Sequence, residues 1–265
     1  MKQYKIIINT KSQKYPIIIG KGLFNNLPKL LAKNSILFNR CLIVIDNKIK
    51  KKIILKILKK FKKNKRIVYL FNANEKNKNQ KNVDKILNVL LKNNFQRNDC
   101  LISIGGGITG DVSGFASSIY KRGIKFVNVP STLLAQVDSS IGGKTGVNTS
   151  HGKNLIGSFY QPNLVVSDTD FLKTLPKREV ICGYAEIFKH SLILKNKSFG
   201  FLNNNASKVI KVESPFIEKS IIESCKIKKK IVEQDENEKN LRKILNFGHT
   251  FAHAYEATLN YSKKL

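Results

Sequence analysis

The chain has 265 residues, 42% of them hydrophobic, and carries 48 Lys plus Arg against 18 Asp plus Glu, a formal charge of +30. It is too long for a disulfide-stapled miniprotein and too apolar for a wholly disordered chain; at ~100–200 residues per domain it fits one large domain or two modest ones. The charge invites a nucleic-acid reading, but only six of the 48 basic residues are arginine, the usual fork for bases and phosphates. The lysines run through Lys/Asn/Ile-rich stretches such as 48–65, the pattern of compositional drift over a solvated surface, so a nucleic-acid partner is not expected. The four cysteines (Cys41, Cys100, Cys182, Cys225) form no CxxC pair and read as free thiols in a reducing cytoplasm. No apolar run approaches the ~18 residues of a membrane span, and the N-terminus has no signal-type apolar stretch.

Along the chain, β-branched runs alternate with helical spacing. Residues 5–8 and 15–19 predict strands, as do 41–45, 67–71, 100–104, 126–129 and 164–166. Residues 49–61 predict a basic amphipathic helix and 83–91 another. Strand–helix alternation predicts a parallel sheet with helices on its faces. After Thr174 the texture changes. Pro176 opens a stretch in which 180–194, 216–232 and 241–259 have helical periodicity. The Lys/Asn-rich segments 72–82 and 195–205 read as loops. The expected organisation is an α/β nucleotide-type domain over residues 1–174, followed by an α-helical domain over 175–265.

The strand at 100–104 runs into GGGITGD (105–111). Without Cβ atoms the chain can turn sharply, and a helix N-terminus offers free N–H groups to a pyrophosphate. A plain tight strand–helix turn is the other reading, because GGGxxGD is not the usual GxGxxG fingerprint. Further on, Asp138, Lys144, Lys153 and Asn154 bring an acid, two ammonium groups and an amide into a Gly/Ser-rich segment, which also reads as a solvated polar loop. A P-loop is excluded, since the first glycine of GxxxxGKT falls on Asp138.

Glu186 and Lys189 share a helical face in GYAEIFKH (183–190), either as a surface ion pair or as site residues. His249 and His253 lie four apart in NFGHTFAH (246–253). Thr250 excludes an HExxH protease, and a polar helix face remains the other reading. Catalytic zinc takes three protein ligands and an open position, of which Glu186 and His249 offer two.

These blocks, together with 129–148, 152–168, KTLPKRE (173–179) and LRKILNFGHTFAHAYEA (241–257), resemble the 3-dehydroquinate synthase family of sugar-phosphate cyclases. The likeness covers essentially the whole chain and is weaker over the first hundred residues. It implies a Rossmann-like α/β domain followed by a helical metal- and substrate-binding domain. It also implies NAD- and metal-dependent conversion of 3-deoxy-D-arabino-heptulosonate 7-phosphate to 3-dehydroquinate and phosphate, in the shikimate route to aromatic amino acids. A substrate hydroxyl is oxidised by NAD, phosphate is eliminated, the ketone is reduced back, the ring opens, and an aldol step closes the carbocycle. The metal, zinc or cobalt, would be held by Glu186 and His249. Lys144, Asn154, Lys189, Lys228, Arg242, Asn246 and His253 match the substrate pocket, with Asp138 near the ring hydroxyls. Arg122 matches a residue that reaches the phosphate of a neighbouring subunit, which implies a homodimer. Gly105, Gly106, Gly107, Asp111, Ser131, Thr132, Lys153, Thr174 and Glu179 match cofactor positions. Glu75 and Lys78 match an acidic–basic pair near the adenosine, and Asp46 suits a ribose diol.

Some positions depart from the family pattern. The residues 72–75 replace a usual PDGE, Ser131 replaces a common Thr, and Ala252 a frequent Gly. The resemblance places a third metal ligand, a histidine in an HGEAV-type block, just past Leu265. On that reading the helical domain is incomplete, and the 265-residue chain is expected to be inactive alone. Polyol dehydrogenases of the same superfamily fit less well, because Glu186, Lys144 and Lys189 are not their pattern. Other cyclases acting on heptulose or glucose phosphates share it. A nonenzymatic basic nucleic-acid-binding remnant is the alternative of a different class.

Overall fold

A computed structural model describes residues 3–62, 65–194, 198–248, 251, 255 and 258. Among these, seven strands form one sheet. They are β1 (Gln3–Asn9), β2 (Lys14–Gly20), β3 (Cys41–Asp46), β4 (Arg66–Phe71), β5 (Cys100–Gly105), β6 (Lys125–Pro130) and, later in the chain, β9 (Leu164–Asp168), in the order β1-β2-β9-β6-β5-β3-β4. Only the β1–β2 pairing is antiparallel. β3, β5 and β9 are buried along their whole length, which is why they read as unbroken apolar runs rather than alternating ones. β7 (Lys144–Thr149) and β8 (Gly152–Phe159) form a separate antiparallel ribbon.

Helices α1 (Leu27–Lys33), α2 (Lys51–Leu58), α3 (Gln80–Lys92) and α4 (Gly107–Ile119) connect the strands. α3 starts where the Asn79 side chain accepts from the Asn82 N–H, satisfying one of the free donors of its first turn. α5 (Lys177–Ile193), α6 (Ser198–Ile210) and α7 (Phe216–Gln234) follow. One apolar core lies between α1, α2 and the sheet, and a second between α3, α4 and the opposite face. A third unites β1, β2 and β9 with α5, α6 and α7 through Ile17, Val165, Ile187, Leu202 and Ile221. No helix among the described residues is long and apolar enough to cross a membrane.

The strands expected from sequence are present, with boundaries one or two residues wider. Three expectations need correction. The segment 195–205 is not a loop from Ser198 onward, because α6 begins there and buries Leu202 and Val209 against the third core. The polar segment after Asp138 folds as the β7–β8 ribbon. The helix expected over 241–259 is a 3-10 helix, Leu241–Asn246, followed by Gly248 in a left-handed conformation (φ 82°). Beyond it only 251, 255 and 258 are described, and they are helical.

The ribbon depends on two facing glycines. Gly146 pairs with Gly157, and a Cβ on Gly146 would stand 2.5 Å from the Ile156 carbonyl oxygen. A Cβ on Gly157 would run into the Thr145 carbonyl oxygen, so neither strand can carry a side chain here without parting. Gly157→Ala is therefore expected to destabilise the fold by about 1–3 kcal/mol, as over-packing does. A denaturant midpoint equal to that of the parent would contradict this close approach.

Candidate active site

Parallel strands bring their C-terminal ends to one edge of the sheet, where ligands of open α/β folds bind. Asp46 ends β3, Gly105 ends β5, and Ser131 and Thr132 follow β6. Ser131 donates its N–H to the Gly105 carbonyl at 2.8 Å, tying the two strand ends together. Gly106 is the N-cap of α4 and supplies no side chain, so the first-turn N–H groups have no side-chain acceptor. A Cβ on Gly106 would stand 3.2 Å from Thr132 Cγ2, and one on Gly107 3.0 Å from Ser139 Oγ. The glycines thus keep the backbone close to the facing loop, as a phosphate cradle requires. Asp46 is buried; burial pushes its carboxyl up against the hydrogen bond from the Lys48 N–H.

Beside the glycine turn is a polar cluster. Lys78 Nζ lies 2.6 Å from Asp111 Oδ2 and donates to Asn154 Oδ1 at 2.5 Å. Burial pushes the Asp111 carboxyl up to about 6, with Lys78 pulling the other way. Glu75 accepts from Asn148 Nδ2 at 2.8 Å, and Asn148 Oδ1 accepts from the Asn154 N–H at 3.0 Å. The ribbon is therefore stitched to the segment before α3. Lys153 lies half-buried on β8, next to Asn154.

A cavity of about 610 Å³ opens between this ribbon and α7. Asp111, Asp138, Lys144, Asn154, Lys228, Arg242 and Asn246 all line it. Seven residues singled out from sequence thus share one space. Lys228 projects from α7 and donates to the Asp138 carbonyl at 2.7 Å and to its carboxylate. Burial pushes Asp138 up, but Lys228 outweighs it and the carboxyl falls to about 2. Burial pulls Lys228 down against the pull of Asp138. Arg242 is buried, donates Nη1 to the Glu236 carbonyl, and faces the Phe159 ring at 5.7 Å.

Glu186 and Lys189 sit on α5 at the same locus. Lys189 Nζ lies 2.8 Å from Glu186 Oε1 and donates to the Leu245 carbonyl at 2.7 Å. His190 Nε2 lies 3.0 Å from Glu186 Oε1, and ligand atoms of Asp138, Glu186 and His190 all fall within 4.8 Å of one another. Burial pushes the Glu186 carboxyl up, but the contacts from His190 and Lys189 outweigh it and hold the carboxyl below its ordinary value. An imidazole nitrogen beside two carboxylates fits a divalent cation.

Other expected residues lie elsewhere. Arg122 follows α4 at the far end from the glycine turn and lines a surface hollow with Gln96, Arg97 and Asn98. Lys121 and Arg122 both hold left-handed backbone (φ 49° and 62°). Thr174 and Glu179 are exposed, the latter in the first turn of α5. His249 and His253 lie outside the described residues.

Two residues at the site were missed from sequence. His190 stands four residues after Glu186, a spacing that puts both on one helical face. Glu238 pairs with Lys144 and accepts from Asn246 Nδ2 at 3.0 Å. Its signal was an acidic run, Asp235, Glu236 and Glu238, in an otherwise lysine-rich chain.

Residues 68–182 match the family model for the 3-dehydroquinate synthase N-terminal domain, and residues 183–265 the one for its C-terminal domain. A 3-dehydroquinate synthase of Pelagibacter ubique is 64% identical over 261 residues, 98% of this chain and 71% of that protein. Among solved structures, a 2-deoxy-scyllo-inosose synthase complexed with carbaglucose-6-phosphate, NAD+ and Co2+ aligns with a TM-score of 0.87 and 27% identity, over 96% of this chain and 69% of that one. A 2-epi-5-epi-valiolone synthase from Streptomyces hygroscopicus, with NAD+ and Zn2+ bound, aligns with a TM-score of 0.86 and 25% identity, over 97% of this chain and 71% of that one. With the two family models matched in succession over residues 68–265 and such identity across nearly its whole length, the chain belongs to the 3-dehydroquinate synthase family.

Proposed function

We propose, in place of the inactivity expected of these 265 residues alone, that the chain converts 3-deoxy-D-arabino-heptulosonate 7-phosphate to 3-dehydroquinate and phosphate, using NAD catalytically and a divalent metal. The observation that carries this reading, beside family membership, is the single cavity where Asp138, Lys144, Lys228, Arg242 and Asn246 meet. When bound, NAD accepts and returns a hydride, and the metal orients and acidifies the hydroxyl that loses it. Glu186, with His249, would hold the metal.

The residues divide the remaining work by charge. Lys144, Lys189, Lys228 and Arg242 offer cations to a substrate bearing a phosphate and a carboxylate. Asn154 and Asn246 supply amide groups for its hydroxyls, and Asp138, kept ionised by Lys228, accepts from a ring hydroxyl. His253, outside the described residues, is assigned by the resemblance to the proton-transfer network.

The glycine turn Gly105–Gly107 and the α4 N-terminus take the pyrophosphate, with Ser131 and Thr132 beside them. Asp46 accepts from the ribose diol. Glu75, Lys78, Asp111, Lys153, Thr174 and Glu179 complete the cofactor set. Residues 1–174 thus carry all of this cofactor set but Glu179, and 175–265 bring Glu186 and three of the four substrate cations.

Arg122, remote from this cavity, supports a homodimer in which it reaches a neighbour's phosphate. Free cysteines support a cytoplasmic location.

The deciding experiment is phosphate release from the heptulosonate phosphate with NAD and zinc or cobalt, run beside sedoheptulose 7-phosphate and glucose 6-phosphate. Turnover of either competitor in its place overturns the substrate assignment. Glu186→Gln is expected to lower kcat about a thousandfold, ~4 kcal/mol of transition-state stabilisation. Lys144→Ala is expected to raise KM about tenfold with a smaller change in kcat, the mark of a group that binds the anion throughout.

The Asp138–Lys228 pair also leaves a pH signature. The Asp138 carboxyl is lower in the folded state, so its contribution to stability is present above the ordinary value of 3.8 and is lost as pH falls through about 2. Asp138→Asn should flatten that acid limb in urea midpoints measured from pH 5 to pH 2; an unchanged slope would remove Asp138 as its source.

A further inference from the structure

We propose that Glu236 is a positioning residue: held by the β1–β2 turn, it fixes the Arg242 guanidinium at the cavity. This rests on the reading of Arg242 as a substrate cation, and adds to it a residue outside the cavity lining. Glu236 lies just after α7, and its main-chain carbonyl accepts from Arg242 Nη1. Its carboxylate is engaged elsewhere. Oε1 accepts from Ser12 Oγ and from Gln161 Nε2, the latter at 2.9 Å, and Oε2 accepts from the Ser12 N–H at 3.1 Å. Ser12 stands in the turn between β1 and β2. The same turn is tied to α7 a second time, by the Asn9 N–H donating to Glu233 Oε1 at 2.6 Å.

A second contact of the guanidinium depends on the same hairpin. A Cβ on Gly142 would run into Arg242 Nη2, and Gly142 holds a left-handed backbone (φ 91°) that glycine adopts without strain. The Gly142 N–H donates to Tyr15 Oη at 3.1 Å, and Tyr15, on β2, is fully buried. Gln161 is buried as well, its amide against Gly143, where a Cβ would stand 2.8 Å from Gln161 Cδ. Arg242 therefore rests on a carbonyl fixed through Ser12 and on a glycine fixed through Tyr15, with the Phe159 ring at 5.7 Å.

The arrangement suits a cation that must serve an anionic substrate. The bond from Nη1 goes to a neutral carbonyl, which leaves the charge of Arg242 for the cavity. A carboxylate in that place would satisfy the charge before the substrate arrived. Burial pushes the Glu236 carboxyl up, but Ser12 and Gln161 outweigh it and hold it below its ordinary value. Glu236 thus acts on Arg242 through position and not through charge. A guanidinium displaced by about 1 Å loses its paired geometry with a carboxylate or phosphate.

The test is calorimetric titration of the purified, zinc-loaded protein with 3-deoxy-D-arabino-heptulosonate 7-phosphate, with NADH in place of NAD so that no hydride can leave the substrate. A melting curve accompanies each variant. Glu236→Ala is expected to weaken binding about tenfold, and Arg242→Ala about thirtyfold. The double variant is expected to bind no more weakly than Arg242→Ala, because Glu236 then has nothing to position. Glu236→Gln keeps an acceptor oxygen for Ser12 and Gln161 and is expected to stay within about threefold of the parent. Parent-like affinity in Glu236→Ala overturns the proposal. So does a further loss of about tenfold in the double variant, the mark of damage to the fold, or a loss in Glu236→Gln equal to that in Glu236→Ala. Parent-like affinity in Arg242→Ala overturns the reading of Arg242 and this inference with it; no binding by the parent overturns the substrate assignment as well. Should Glu236→Ala fail to fold, Ser12→Ala, on an exposed turn, decides: a loss of about threefold is expected, and parent-like affinity overturns the proposal.

Discussion

An ammonium group buried on a helix must meet an anion or lose its proton, and Lys228 meets Asp138. That contact joins α7 to the single π-helical turn Ala135–Ser139 after β6. Much of the site follows from it. With α7 held there, Ser224 reaches His190 on α5, and the 3-10 helix after α7 brings Arg242 against the β7–β8 ribbon. The sheet supplies an edge of strand ends, while this pair sets where the helical part stands against that edge. The third core supports the placement, because Ile17, Val165, Ile187 and Ile221 belong to it from both parts of the chain.

The legible parts of the sequence were those governed by local pattern. β3 and β5 are covered on both faces, so every position favours an apolar residue and the runs stand out. The glycine turn was legible because a strand ended on it, and Asp46 because it closed another. α6 was not, since SFGFLNNNASKVI buries only Ser198, Leu202 and Val209, and its polar Asn run resembles a loop. Its helix depends on packing against α5 and α7, which is long-range information. The β7–β8 ribbon was hidden for the same reason. Its glycines weaken strand propensity locally and are needed only because two backbones touch.

The site shows a similar division. Of the cationic residues expected from the family pattern, Lys144, Lys228 and Arg242 line one cavity. His190 escaped notice because the spacing from Glu186 is visible in sequence, but Ser224, on another helix, is not. Glu238 escaped because its meaning depends on Lys144 and Asn246 lying across from it. The large positive charge also divides. Lys144, Lys228 and Arg242 face the cavity, whereas the lysines of α2 lie on the far side of a different core. The charge that matters to an anion is a small and sequence-dispersed fraction of the +30.

The β7–β8 ribbon has a further consequence. Its Asn148 and Asn154 bind the Glu75–Lys78 segment, on the side assigned to the cofactor, while Lys144 at its other end reaches Glu238 on the side assigned to the substrate. Between them the strands touch at Gly146 and Gly157 with no side chain to yield. A side chain at either glycine would part the strands there and change the spacing between the residues assigned to the cofactor and those assigned to the substrate.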